Sequence, residues 1–223
     1  MGALFYQRVK AALATLLASQ RAAPQTYRNN WVSEGKMSDF EFIFALFGLL
    51  IGLSLTVVLS GLARAIEMRL RPGSTVRIGW LTPMLGMFVI LDLLSFWQAA
   101  WVARQVVAVS GETLLAVTAF ACAYFLAASL VFPREIEREA HLDDHFFRVR
   151  RIVIGVMFAL LVCQLAYYWS VPSLAARLSD PLALGLTAVL ALLMIVAMVT
   201  RGLWWTRLAM AALIARYVWR YLV

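Results

Sequence analysis

The sequence predicts an all-α fold, a polytopic bundle of transmembrane helices with six spans. Hydrophobic residues make up 63% of the 223 residues and charged residues only 14%, whereas soluble domains carry roughly 25% charged residues. Apolar stretches of about 20 residues, the length that crosses a bilayer, recur along the chain. Each strong stretch is apolar all round and does not alternate, which favours helices over the strands of a barrel.

The six predicted spans follow one another with short connections. Their ranges are 40–62, 80–102, 114–132, 152–171, 181–200 and 203–223. Residues 135–151, between the third and fourth spans, are predicted to form a polar loop because they are rich in charges of both signs. The last span is weaker because Arg207, Arg216 and Arg220 interrupt it. The alternative is therefore five spans followed by a C-terminal amphipathic helix at the membrane interface.

Basic residues predict the orientation of the bundle. Lys and Arg collect on the cytoplasmic side of membrane proteins, and here they collect in every second connection. The first, third and fifth connections are therefore predicted to be cytoplasmic, with both termini outside. The arginines that support this orientation are Arg64, Arg69, Arg71, Arg77, Arg134, Arg138, Arg148, Arg150, Arg151, Arg201 and Arg207.

The N-terminal segment conflicts with this orientation, because residues 1–36 place Arg8, Lys10 and further basic residues on the predicted outer side. We prefer the interpretation that translation begins at Met37. Residues 37–223 then form a single transmembrane domain, and residues 1–36 are an extension outside the native product. The alternatives are a signal peptide within residues 1–20 and an interfacial helix at residues 4–17.

Charge and histidine content limit the expected partners and cofactors. The net charge of +8 does not predict nucleic-acid binding, because the basic residues flank apolar runs instead of forming one soluble surface. The expected partners are the lipid bilayer and other membrane subunits. No cofactor is predicted, since His141 and His145 are the only histidines and both lie outside the spans, which excludes a bis-histidine haem site. Their spacing would suit a metal pair on a helix, but a solvated loop is the favoured interpretation.

Asp92, near the middle of the second predicted span, is the most informative polar residue. An aspartate at this depth costs about 2.5–3.5 kcal/mol on insertion scales, and such carboxylates usually find a partner. Two interpretations are open: a proton or cation site, and a structural polar link to Arg216, Gln164 or a tyrosine. Counting along the helices from Trp80 and Trp204 places Asp92 and Arg216 at similar depth. We therefore predict an ion pair between them, unless Arg216 extends to the outer interface.

Small residues recur every four positions along the first predicted span, at Gly48, Gly52, Thr56 and Ser60. Small residues let helix backbones approach closely in lipid. We expect this stripe to pack inside the chain's own bundle, with dimerisation as the alternative.

No catalytic residue is predicted, because Ser129 has no histidine in a neighbouring stretch and the sequence has no phosphate-binding glycine loop.

One stretch of the sequence carries a resemblance. The run YFLAASLVFP at residues 124–133 is followed by LDDHFFR at residues 142–148 and by Arg150 and Arg151. This pattern resembles a group of bacterial inner-membrane proteins of unknown function, over roughly Met37 to the fifth helix. The resemblance implies a multi-pass fold in a cell inner membrane. It implies no reaction, and no functional residues are carried over from it.

Three classes of function remain open at this stage. The first is a small accessory or scaffold subunit of a membrane complex. The second is a proton- or cation-coupled transporter or channel that uses Asp92. The third is a membrane-embedded enzyme that modifies lipid, which would need a convergent polar site that the sequence does not show.

Overall fold

The computed structural model describes residues 39–72, 79–103, 110–133, 141–172, 174–175 and 180–222. Residues 43–223 form one compact unit, and residues 39–42 fall outside it. The N-terminal extension 1–36 and the predicted start at Met37 lie outside the described residues. The six long helices are α1 (Asp39–Leu70), α2 (Leu81–Ala103), α3 (Gly111–Val131), α4 (Leu142–Ser170), α5 (Pro181–Val199) and α6 (Leu203–Leu222).

The predicted all-α transmembrane bundle is confirmed. Helices α1 to α5 are each long and apolar enough to cross a membrane. Two of them begin with a capping side chain: Ser110 accepts a hydrogen bond from the Thr113 amide at α3, and Asp180 caps α5 ahead of Pro181. Such caps satisfy amide groups that have no partner inside the helix.

The beginning of α4 corrects the sequence prediction. Residues 142–151 were expected to belong to a polar loop, but the helix already begins at Leu142. Leu142, Phe146 and Val153 are buried, and their spacing gives this charged segment one apolar face that packs into the bundle. Asp143 and Asp144 occupy its first turn, where negative charge is favourable at a helix N-terminus.

Helix α2 lies at the centre of the bundle. It packs against α3, α4 and α6, while α4 also packs against α3 and α5, and α5 packs against α6. Leu85, Phe88 and Val89 of α2 are fully buried. Helix α1 contacts α2 through Phe47, whose ring centroid lies 5.1 Å from that of Phe96. Any side chain on the inner face of α2 is thus surrounded by other helices.

Helix α6 belongs to this packing, although its arginines keep it from qualifying as a span on composition. Arg207 near its beginning lies 3.6 Å from Asp143, which also accepts a hydrogen bond from the amide of Leu81 at the beginning of α2. Ten residues further along α6, Tyr217 contacts Asp92 in the middle of α2. Helix α6 therefore runs alongside α2. This packing agrees with the predicted bundle of six helices, five of which qualify as spans on composition.

Candidate functional site

Asp92 lies on the inner face of α2 and is 9% exposed. Phe88, Val89 and Leu93 of the same helix are buried around it. The face is set by helical spacing, because residues three and four apart share one side of a helix. The carboxylate therefore lies in an apolar environment, where a polar group is stabilised only by hydrogen-bonding partners.

Two tyrosines from different helices supply these partners. The Tyr124 hydroxyl of α3 donates a hydrogen bond to Asp92 Oδ2 at 2.7 Å. The Tyr217 hydroxyl of α6 donates to Oδ1 of the same carboxylate. Both tyrosines are buried, with exposed fractions of 3% and 1%. The three residues, which we call the carboxylate triad, connect three helices through one side chain.

Aromatic rings pack around the triad. The ring of Phe88 lies 6.1 Å from that of Tyr217 between centroids, and Phe96 lies 5.4 Å from Tyr124. Phe96 in turn stacks on Phe120 of α3 at 4.3 Å. The phenol rings are thus held by apolar contacts while their hydroxyls reach the carboxylate, the usual arrangement for a buried tyrosine.

The predicted ion pair between Asp92 and Arg216 is not formed. Arg216 donates through Nη2 to the carbonyl oxygen of Leu186 in α5 at 3.3 Å, and its guanidinium lies 4.9 Å from the centroid of the Tyr217 ring. Asp92 and the segment of α6 around Arg216 lie at similar depth, as predicted. Depth alone, however, does not determine which side chain of α6 faces α2. Tyr217, the next residue along, faces α2, and Arg216 is turned towards α5.

The other proposed partner, Gln164, is also absent from the triad. It is half-buried on α4, and the carboxylate hydrogen bonds that the structure describes come from the two tyrosines. The third possibility left open by the sequence, a link to a tyrosine, is the one found. Tyr124 and Tyr217 both lie within predicted spans, where a buried tyrosine hydroxyl needs a hydrogen-bond partner. This requirement was the signal that could have identified them as partners of Asp92.

The geometry allows the triad two chemical roles. With Asp92 ionised, both phenols donate and the carboxylate acts as a polar connection between helices. With Asp92 protonated, its hydroxyl needs an acceptor, and a phenol oxygen can serve because a tyrosine hydroxyl both donates and accepts. The triad can therefore hold or release a proton by reorienting hydroxyl groups.

The small-residue stripe is divided between two environments. A Cβ added at Gly48 would lie 2.7 Å from the Trp97 ring, whereas one added at Gly52 would meet nothing within 4 Å. Gly52, Thr56 and Ser60 are exposed on the outside of α1. Packing inside the bundle is therefore correct for Gly48 and wrong for the other three, because the inner face of α1 is formed by different residues. These are Phe47, Ile51, Ser54, Val58 and Ala65.

A closer helix approach, not predicted from the sequence, lies further along α1. A Cβ at Gly61 would lie 2.6 Å from the Phe132 ring at the end of α3. Gly86 of α2 faces the same ring, with a Cβ distance of 3.3 Å to Phe132 and 3.2 Å to Val58. Glycine is required at Gly61 for space, since a larger residue would displace an aromatic side chain of the core.

The two histidines do not act together. His141 is the exposed residue before α4 and makes no capping hydrogen bond with its side chain. His145 lies one turn later, with Nε2 3.1 Å from the carbonyl oxygen of Leu130 in α3. Within the described ranges no three His, Cys, Asp or Glu residues come together as a metal site would require.

Comparison with known proteins adds no relative to this description. No family model matches the chain. No curated protein matches it, and no solved structure does.

Proposed function

We propose that this chain is a small accessory or scaffold subunit of a membrane complex, located in a bacterial inner membrane. The observation that carries the proposal is the outer face of α1, where Gly52, Thr56 and Ser60 form an exposed small-residue stripe on a helix that already packs through its opposite face. The sequence resemblance favours the location.

The outer face of α1 has the shape that a partner helix needs. Leu49, Leu53 and Leu59 are exposed and stand beside the small residues as ridges beside a groove. Thr56 donates its hydroxyl proton to the carbonyl oxygen of Gly52 at 2.8 Å, so its polar group is satisfied within the helix. Association in lipid relies on close packing of this kind, because lipid tails are as apolar as leucine.

The polar residues inside the bundle support the same proposal. The Asp92 carboxylate is engaged by two tyrosines, and the Arg150 guanidinium is engaged by carbonyl groups of α5 and the following turn. These contacts connect helices of the same chain. They stabilise the fold of this chain, and the proposed partner contact would use its outer surface.

The proposal is tested by purification in mild detergent with Gly52→Leu and a matched control, Gly185→Leu. Both glycines have open space at Cβ, so neither change alters the packing of this chain. We expect a stoichiometric partner to co-purify with the wild type and with Gly185→Leu and to be lost with Gly52→Leu. Equal recovery with both variants, or no stoichiometric partner at all, would reject α1 as the contact face.

A second candidate, a proton- or cation-coupled transporter or channel, is favoured by the carboxylate triad. Asp92 is an intramembrane carboxylate that accepts hydrogen bonds from two phenols, and carboxylates at this depth often take up and release protons in transporters. Reconstituted liposomes loaded with a pH-sensitive dye test this role. Proton flux that is present in the wild type and absent in Asp92→Asn would establish it and displace the scaffold proposal. Equal flux in both proteins and in empty liposomes would reject it.

A further inference from the structure

Arg150 is a buried cation that holds the end of α5. It is 4% exposed. Its Nη1 donates to the carbonyl oxygens of Thr200 and Ala197, the latter at 3.4 Å, and to Thr206 Oγ1 at 3.4 Å. The carbonyls at the end of a helix carry partial negative charge, so the guanidinium fixes the α5–α6 turn against α4.

Two exposed arginines adjoin the residues of this contact in the sequence. Arg151 follows Arg150 directly in the chain, and Arg201 follows Thr200 directly. Because Arg150 and Thr200 are in hydrogen-bonding contact, Arg151 and Arg201 each adjoin one partner of this contact. Both are exposed, and neither has an ion-pair partner among the described residues.

One carboxylate at this end of the bundle, Asp143, is already engaged. Asp143 accepts from the Leu81 amide at 3.1 Å and pairs with Arg207 at 3.6 Å. Even so, the Nε groups of Arg150 and Arg207 are buried without an acceptor in the described part of the chain. Among the residues described at this end of the bundle, two arginine donors thus lack an acceptor, and an anion from outside the chain would bind favourably beside the exposed guanidiniums.

Apolar side chains next to these arginines show what kind of anion fits. Trp204 and Trp205 begin α6 and are 70% and 68% exposed, and tryptophan prefers the level of the lipid headgroups. Three aliphatic side chains close to Arg151 and Arg201 in the sequence are also exposed. They are Ile152, Val199 and Leu208. A ligand here meets cations and hydrocarbon together, so it is an amphiphile with an anionic head.

We propose that the junction of α4 with the α5–α6 turn binds an anionic phospholipid. Arg151 and Arg201 bind the phosphodiester, since guanidinium groups match phosphate oxygens in a two-pronged geometry. The exposed tryptophans lie at headgroup level, and the acyl chains follow the aliphatic side chains. Basic sites between helix ends are a common form of lipid-headgroup recognition. This site is independent of the proposed partner face on α1.

The test measures binding of labelled phosphatidylglycerol to the full chain in a zwitterionic detergent. The variant Arg151→Gln/Arg201→Gln removes both phosphate ligands. The control Arg220→Gln removes an exposed arginine from the other end of α6. Since each basic residue near an anionic headgroup contributes about 1 kcal/mol, the double variant should bind roughly ten- to thirtyfold more weakly. The control variant should bind as the wild type does.

Further arms distinguish the sources of the signal. Phosphatidylcholine should bind at least tenfold more weakly than phosphatidylglycerol, and millimolar inorganic phosphate should not displace the lipid. The charge-preserving variant Arg151→Lys/Arg201→Lys keeps the charges but loses the two-pronged geometry, so it should bind more weakly than the wild type and more tightly than the glutamine variant. An unchanged midpoint of thermal unfolding in the glutamine variant shows that its loss of binding is not caused by misfolding. Equal binding of both lipids, equal loss in Arg220→Gln, or full displacement by phosphate would overturn the proposal.

Discussion

Tyr217 and Asp92, 125 residues apart in the sequence, are joined by a hydrogen bond from the phenol hydroxyl to the carboxylate. This contact connects the last helix of the bundle to its central helix. Tyr124 completes the connection from α3. This buried carboxylate is therefore a point where three helices are held together.

The bond between Asp92 and Tyr217 should appear as an energetic coupling. We expect Asp92→Asn and Tyr217→Phe each to lower the free energy of unfolding in detergent, and the double variant to cost less than the sum. A coupling of about 0.5–2 kcal/mol is expected, the range of polar contacts between membrane helices. Tyr221→Phe, one turn further along α6, serves as the control. Strict additivity of Asp92→Asn and Tyr217→Phe would show that the contact does not stabilise the bundle.

Arg216 should be coupled to Asp92 more weakly than Tyr217 is. Its guanidinium donates to the Leu186 carbonyl, so Arg216→Gln removes a contact with α5 and leaves the triad intact. The cycle of Asp92→Asn with Arg216→Gln should therefore give a smaller coupling than the cycle of Asp92→Asn with Tyr217→Phe. A coupling as large as that of Tyr217 would restore the direct ion pair predicted from the sequence.

Gly61 should tolerate substitution far less than Gly52. A Cβ at Gly61 overlaps the Phe132 ring, and one at Gly52 enters open space. Overpacking a core costs about 1–3 kcal/mol, so Gly61→Leu should lower the midpoint of thermal unfolding in detergent, while Gly52→Leu should leave it unchanged. Equal effects of the two changes would show that the two faces of α1 are assigned incorrectly.

Arg150 should contribute more to stability than its neighbour Arg151. Replacing Arg150 with Met leaves the Thr200 and Ala197 carbonyls without their cationic donor, at a cost of about 1.5–3 kcal/mol for a hydrogen bond to a charged group. Arg151→Met removes an exposed arginine of the same helix. Thermal unfolding in detergent without anionic lipid should separate the two variants, and equal midpoints would contradict the assigned contacts of Arg150.

The orientation of the bundle should follow its arginines. In a background without Cys122 and Cys163, Glu112→Cys at the beginning of α3 should react with an impermeant thiol reagent in intact cells. Asp144→Cys at the beginning of α4 should resist the reagent until the membrane is opened. The reversed pattern would place the Arg64–Arg71 and Pro133–Arg151 regions outside and invert the topology.

The sequence predicted where the helices lie along the chain, but it did not predict which face of each helix points into the bundle. Length and hydropathy placed the six helices, because crossing a membrane requires about 20 apolar residues. Two helix ends differed strongly: α1 continues to Leu70 instead of ending at residue 62, and α4 begins at Leu142 instead of residue 152. Both segments carry charges that a hydropathy argument assigns to a connection. The partners of Asp92 and the orientation of the Gly52 stripe depend on rotation about helix axes. Where every side of a helix is apolar, periodicity does not reveal that rotation.

The proposed role as a scaffold subunit depends on the outer face of α1, and photo-crosslinking in intact membranes tests it most directly. A photoreactive residue replaces Thr56, which is exposed on that face, or Leu192, which is exposed on α5. If a partner binds this face, position 56 should give a discrete protein adduct that disappears with Gly52→Leu. Position 192 should give only lipid adducts. Lipid adducts alone at position 56, or the same protein adduct from both positions, would contradict the proposed role.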